Sequence, residues 1–118
     1  EVEKVLKEAR LNEVNIGMCC ISPVIAARVF GKSFSGPGAK LTLGKKAPGF
    51  PYQDSIKVAE GFGNTMQESD VHEVVVDASS AKSIIATTPA YMKDTAPHEV
   101  FDGVGKMVAA IVEQARKK

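Results

Sequence analysis

Residues 16–30 read IGMCCISPVIAARVF, an apolar segment that runs through two adjacent cysteines into a Ser-Pro pair and a second apolar segment. The first segment, Ile16–Cys20, lacks the polar alternation of a half-buried strand and is typical of a strand buried on both faces of a parallel sheet. Ser22 is a preferred N-cap residue and Pro23 suits the first turn of a helix, which continues to Phe30. The stretch therefore predicts a strand that turns sharply into a helix.

The rest of the chain alternates helices with short strands in the same way. Apolar residues at helical spacing predict helices over residues 1–11, 54–62 and 98–115. Short apolar runs bounded by turn residues predict strands over residues 40–43, 72–77 and 83–87, the last two forming a hairpin. One face of the last helix is predicted to hold Val100, Val104, Met107, Val108, Ile111 and Val112. This alternation indicates an α/β fold with a mainly parallel sheet flanked by helices.

Composition excludes several classes of function. The 118 residues carry a formal net charge of +1 and scattered basic residues, so no nucleic-acid partner is expected. No apolar run approaches the roughly 20 residues that a membrane-spanning helix needs, so no membrane insertion is expected. The two cysteines are neighbours and the two histidines are far apart, which gives no metal-ligand spacing. We predict neither a metal site nor a cofactor.

The turn between the strand and the helix gives Cys20 a setting that favours reactivity. A residue at such a turn is presented to solvent beside the unpaired N–H groups of the helix, whose positive dipole end favours a thiolate. Cys19 lies one residue earlier on the strand and should point to the other side of the sheet. The alternative is that both cysteines are buried small hydrophobes. That alternative holds for Cys19, whereas Cys20 is the candidate nucleophile.

Three segments together resemble the ElbB-like family of the class I glutamine amidotransferase-like superfamily, close to its PfpI-related branch. They are IGMCCISPVIAARVF, AKLTLG and VVVDASSAKSIIATTPAYM. The family pattern places Cys-Ile-Ala-Pro at the start of a helix and a Thr-Thr-Pro-Ala loop later. The matching positions here are residues 20–23, which read Cys-Ile-Ser-Pro with Ser22 in place of the usual small apolar residue, and residues 87–90. The stretch GFPY at 49–52 resembles eukaryotic mitochondrial members. The resemblance implies a flavodoxin-like fold, with residues 1–118 as the C-terminal portion of a single domain whose N-terminal part is absent, and a mitochondrial location.

The resemblance also implies roles for individual residues. Cys20 would be the nucleophile, Ile21 would lend its backbone N–H to an oxyanion site, and Thr87, Thr88 and Pro89 would lie at the pocket. The implied activity is a weak glyoxalase or deglycase reaction on small aldehydes, without a cofactor.

Two departures from the family pattern keep a second function open. Related proteins carry a His after the strand at 40–43, where this chain has Gly44-Lys45-Lys46, and both His72 and His98 are predicted at the surface. A sheet without its N-terminal strands would expose open edges, so a missing segment or a partner chain is needed to complete it. The alternative function is a non-catalytic accessory subunit of a mitochondrial protein assembly, as a homo-oligomer or within a larger complex.

Overall fold

The computed structural model describes residues 1–34, 36–79, 83–90, 92 and 96–116. The helices are α1 (Val2–Leu11), α2 (Pro23–Phe30), α3 (Gln53–Gly61) and α4 (Pro97–Arg116), with a 3₁₀ turn at Lys32–Phe34. The strands are β1 (Ile16–Cys19), β2 (Lys40–Leu41), β3 (Thr65–Met66), β4 (Val75–Asp77) and β5 (Ile85–Thr88). The predicted alternation of helices and strands is confirmed, with β3 as an additional short strand that the sequence pattern did not predict.

Strands β1, β5 and β4 form one sheet in that order, and β2 pairs with β3. Strand β1 runs parallel to β5, with Ile16 opposite Ile85 and Cys19 opposite Thr88. Strand β4 runs antiparallel to β5, as the predicted hairpin requires, although residues 80–82 of its turn lie outside the described residues. Strands β2 and β3 are parallel. The described strands are therefore mainly parallel, with β4 as the exception.

Side-chain hydrogen bonds connect the two sheets. The Lys40 amide donates to Asp77 Oδ2 at 2.7 Å, and the Thr42 amide donates to Thr87 Oγ1 at 3.1 Å. Strand β2 therefore lies beside β4 and β5 without a backbone ladder. Helix α4 packs on β5 and β1, while α2 packs against α1 and α3. Strand β5 is buried along its whole length, so it forms the centre of the core.

The prediction that β1 is buried on both faces is wrong for the described residues. Ile16 is buried, but Gly17 is exposed and both Met18 and Cys19 are half-buried. The physical reason is position, because β1 lies at the edge of its sheet and β5 takes the central place. The apolar sequence of β1 is nevertheless typical of a strand in the interior of a sheet.

Helix α4 carries apolar residues on two sides. Val100, Val104, Met107 and Ile111 are partly buried, whereas Val108 and Val112 are 49% and 47% exposed. The inner part of the predicted apolar face is therefore partly buried, while Val108 and Val112 at its margin stay exposed. No helix within the described ranges has the length and apolar character needed to cross a membrane.

Candidate functional site

Cys20 lies between the end of β1 and the start of α2, as the sequence predicts. Its backbone φ is +57°, a left-handed conformation shared with Glu13 among the described non-glycine residues. The Cys20 amide donates to the Thr88 carbonyl at 3.0 Å, so the parallel ladder to β5 extends by one residue beyond β1. The side chain is half-buried. The chain reverses direction at Cys20 without losing its backbone hydrogen bond.

The turn after Cys20 is closed by Ser22. The Ser22 amide and hydroxyl both donate to the Cys19 carbonyl, at 3.1 and 2.7 Å. The predicted capping role of the Ser22 side chain is wrong, because its hydroxyl makes no cap hydrogen bond and its backbone is already helical, with φ −58° and ψ −27°. Within the described part of the chain, the Ile21 amide donates to no acceptor. An unpaired N–H therefore follows Cys20 directly.

The two thiols differ in their surroundings. Burial raises the pKa of the Cys19 thiol, and the neighbouring Cys20 raises it further. Cys19 therefore favours its neutral form. Cys20 stands next to the N-terminal end of α2, an eight-residue helix that begins at Pro23, where the helix dipole favours a negative charge.

Among the predicted pocket residues, Thr88 accepts the Cys20 amide with its carbonyl, and Thr87 and Pro89 flank Thr88 in the chain. The side chains of all three residues are fully buried. Thr88 Oγ1 donates to the Glu73 carbonyl at 2.7 Å, and Thr87 Oγ1 accepts the Thr42 amide. Both hydroxyls therefore have structural partners. The structure brings this segment to Cys20 through the hydrogen bond at Thr88, and a role of its side chains in a pocket remains a prediction.

The candidate bases have other partners or stand apart. Lys45 forms an ion pair with Asp70 at 3.2 Å, and Lys46 forms one with Glu60 at 3.0 Å. His98 is exposed at the start of α4, and His72 is half-buried in a turn. Between the described residues, no hydrogen bond or ion pair joins the Cys20 sulfur to a titratable side chain. The geometry therefore provides a thiol and a free amide without a base bound to the thiol.

A cleft of about 690 Å³ lies at the opposite end of the sheet from Cys20. Asp77 lines it and pairs with Ile85 at the start of β5, whereas Cys20 follows the end of β1. Burial alone would raise the pKa of Asp77, but hydrogen bonds from Ser79 and Lys40 and the nearby Arg10 outweigh burial, and the pKa is lowered. Sequence reasoning did not single out Asp77, although a carboxylate that ends an apolar run is a usable signal.

No group of three or more potential metal ligands occurs in the part of the chain that the structure describes. The Cys20 turn places a thiol at a helix N-terminus, beside an Ile21 amide that has no acceptor among the described residues.

Comparison with known proteins gives relatives of one kind. The chain is 36% identical over 120 residues to the mitochondrial glutamine amidotransferase-like class 1 domain-containing protein 3 of Homo sapiens, across 99% of this chain and 41% of that protein. It is 35% identical to the mitochondrial ES1 protein homolog of Rattus norvegicus, of which it covers 42%. It is 26% identical to the mitochondrial ES1 protein of Danio rerio, of which it covers 43%. The chain thus spans about two fifths of these relatives, and no family model matches it.

A solved structure shares the fold. It is the crystal structure of an isoprenoid biosynthesis protein with an amidotransferase-like domain from Ehrlichia chaffeensis, with a TM-score of 0.77 and 19% identity. The match covers 97% of this chain and 47% of that one. The predicted amidotransferase-like α/β fold is confirmed, and the mitochondrial relatives agree with the predicted location.

Proposed function

Because the chain is a homologue of the mitochondrial glutamine amidotransferase-like class 1 domain proteins, we propose that Cys20 is a nucleophile that adds to small aldehydes in a weak glyoxalase or deglycase reaction. The observation that carries the proposal is the backbone of Cys20, with φ +57° at a strand-to-helix turn. A non-glycine residue in this conformation costs of order 1–3 kcal/mol, and such strain clusters at functional sites. The strained turn, which holds a half-buried thiol at a cost in stability, supports this proposal.

The chemistry requires only groups at the turn and water. The Cys20 thiolate forms a C–S bond to the carbonyl carbon of glyoxal, and the electron pair of the C=O π bond moves to oxygen. The Ile21 amide, which has no acceptor among the described residues, donates to that oxygen, an interaction worth roughly 3–4 kcal/mol per donor in other enzymes. Water then protonates the oxygen, which gives a hemithioacetal. Transfer of the proton from the hemithioacetal carbon to the neighbouring carbonyl carbon gives a glycolyl thioester, a step that is slow without a bound base. Water then cleaves the C–S bond of the thioester, which releases glycolate and frees the Cys20 thiol.

Adjacent cysteines supply a matched control for the test. We would measure glyoxal consumption and the rate of alkylation by iodoacetamide for the intact protein and for Cys19→Ala and Cys20→Ala. We expect Cys20→Ala to remove glyoxal consumption and the fast alkylation, while Cys19→Ala keeps both. Because burial raises the pKa of Cys19, the remaining thiol of Cys20→Ala should react slowly at pH 7 and faster only as the pH rises. Equal glyoxal rates in the two variants would refute the proposal.

One observation favours the alternative, a non-catalytic accessory subunit. The lysines that stand where related proteins carry a His are both ion-paired, Lys45 with Asp70 and Lys46 with Glu60. If the protein has this function, the intact protein and both variants consume glyoxal no faster than buffer alone does. The native protein then elutes from mitochondrial extract in a stable assembly. Salt-resistant, stoichiometric co-purification would support that function, and a free monomer would count against it.

A further inference from the structure

The cleft of about 690 Å³ at Asp77 lies away from Cys20 and has no part in the proposed function. It opens where β2 and β3 begin and β4 ends, and its walls come mainly from residues 37–40, 63–65 and 77–79. Small-molecule sites in proteins usually enclose about 300–1,000 Å³. The ligands of open α/β sheets usually bind at the other end of the sheet, beyond the carboxyl ends of the parallel strands. The cleft is therefore a candidate for a second binding site.

Two lysines without an ion pair line the cleft. Lys32 and Lys40 are both exposed, and neither ammonium group makes an ion pair or a hydrogen bond within the described ranges. The Asp77 carboxylate in the same cleft is matched by Arg10, at 3.6 Å, and by the amide and hydroxyl of Ser79. The charges of the two lysines are therefore left unbalanced, and a cleft lined by one sign of charge attracts ligands of the opposite sign.

Two glycines make room for the Lys32 side chain in the cleft. Both have left-handed backbones, with φ +80° at Gly38 and +92° at Gly63. A Cβ atom on Gly38 would lie 3.2 Å from Lys32 Cε, and one on Gly63 would lie 2.7 Å from Lys32 Cβ. The stem of Lys32 therefore lies against both glycine segments. Because this packing orders the stem, the lysine loses less conformational freedom when its ammonium group binds a ligand.

A backbone amide adds a further donor. Ala78 lies in the wall of the cleft, and its amide donates to no acceptor in the described part of the chain. Lysine ammonium groups and unpaired amides are donors that phosphate oxygens accept from. A phosphate monoester carries roughly −1.5 to −2 charges at neutral pH, which matches two lysines better than a single carboxylate does. The cleft is much larger than one phosphate group, so it leaves room for an organic part beside Pro37 and Ala39.

We propose that this cleft binds a small organic phosphate, whose phosphate group is held by Lys32 and Lys40 and whose organic part lies against Pro37 and Ala39. The ligand would occupy the end of the sheet that is remote from Cys20. The inference goes beyond the proposed function and does not depend on it.

The test titrates the isotope-labelled 118-residue protein with glycerol phosphate at low ionic strength and follows the amide signals of Gly38, Gly63 and Ala78 by NMR. We expect saturating shifts with Kd of about 1 mM or lower, weaker binding of inorganic phosphate, and no response to glycerol. Lys32→Gln and Lys40→Gln should each weaken binding about tenfold, because each removes a charge-assisted contact. Salt at about 0.2 M should also weaken binding, since it screens the exposed lysines.

Lys57→Gln is the matched control, because Lys57 on α3 is exposed like the two lysines and lies outside the cleft. We expect it to leave the affinity nearly unchanged. The spectra of the unliganded variants show whether each one folds, and if Lys32→Gln does not fold, Lys40→Gln decides alone.

Four outcomes would overturn the inference. The first is the absence of shifts at about 10 mM glycerol phosphate. The second is a loss of affinity in Lys57→Gln as large as that in the cleft variants. The third is equally tight binding of succinate, which would assign the cleft to carboxylates. The fourth is equally tight binding of inorganic phosphate, which would assign it to the free ion.

Discussion

Cys20 occupies a backbone conformation that L-residues rarely adopt, and its neighbours hold it there. Its amide bonds to the Thr88 carbonyl, and the Ser22 hydroxyl and amide close the turn onto the Cys19 carbonyl. Each of these bonds contributes about 0.5–1.5 kcal/mol net, which is enough together to offset the cost of the left-handed conformation. The hydrogen bonds that form the turn therefore also hold Cys20 in its strained backbone conformation.

Replacing Cys20 by glycine tests that strain directly. Glycine adopts positive φ without a steric penalty, so we expect Cys20→Gly to be more stable than Cys20→Ala by about 1 kcal/mol in urea unfolding. The opposite order is expected at Cys19, which lies in β1, because glycine weakens a strand relative to alanine. If Cys20→Gly is less stable than Cys20→Ala, as expected at Cys19, the turn is not strained.

Residue types alone predict where Cys20 lies but not how it is held. The order of apolar run, cysteine, Ser-Pro and helix is visible in the sequence, and it locates the turn. The φ of +57° is not visible, because cysteine has no preference for that region and only glycine would have signalled it. The contact of the Ser22 hydroxyl was also not predictable, since serine serves both caps and turns.

At the scale of elements, α4 approaches the sheet closely at Gly103. A Cβ atom on Gly103 would lie 2.0 Å from the Val71 carbonyl oxygen and 3.0 Å from Thr88 Oγ1. The absence of a side chain there allows the helix to cover β5, whose last residue bonds to Cys20. Nearby Gly105 has no atom within 4 Å of its Cβ position.

Substitution by alanine should have opposite effects on stability at the two glycines of α4. Gly103→Ala should destabilise the protein by about 1–3 kcal/mol, because the helix must move away from Val71. Gly105→Ala should stabilise it by about 0.5–1 kcal/mol, since alanine is the better helix former and the site is open. Thermal unfolding of the two single variants measures both. A loss of stability for Gly105→Ala equal to that for Gly103→Ala would contradict the observed packing.

Elements with strong periodicity were predicted well, and short or ambiguous ones were not. Helix α1 and helix α4 match their predicted ranges within two residues. Strand β3 has two residues, too few for any alternation to be seen, and its existence depends on pairing with β2. The sequence pattern could not distinguish the outer side of α4 from its inner side, because apolar residues occupy both sides.

At the scale of the whole molecule, Asp77 joins three elements. Its carboxylate accepts from the Lys40 amide of β2 at 2.7 Å and from the Ser79 amide at 2.9 Å, and Arg10 of α1 lies at 3.6 Å. Asp77 itself is 3% exposed. These donors explain why β2 stays beside β4 without a ladder of backbone bonds.

Asp77→Asn should therefore destabilise the protein in a manner that depends on pH. The pKa of Asp77 is lowered in the folded state from its usual value of 3.8, so the ionised carboxylate stabilises the fold fully above that value. This contribution is lost as the pH falls through the lower, folded pKa. We expect a loss of about 2 kcal/mol at pH 7 that shrinks toward pH 3 in urea unfolding. A loss that does not change with pH would show that the charge of Asp77 is unimportant.

The Thr87 hydroxyl makes the second hydrogen bond that links the two sheets. Substitutions of Thr87 can therefore distinguish a structural role of its side chain from a role at the pocket. Its Oγ1 accepts the Thr42 amide at 3.1 Å, and both residues are fully buried. Thr87→Val keeps the shape and leaves that amide without an acceptor, which costs about 1–3 kcal/mol. Thr87→Ser keeps the hydroxyl and should recover most of the loss in urea unfolding. If Thr87→Val is as stable as the native protein, the link between the sheets does not depend on this bond. If both variants retain the Cys20 alkylation rate, the Thr87 side chain acts on the fold and leaves the thiol unchanged.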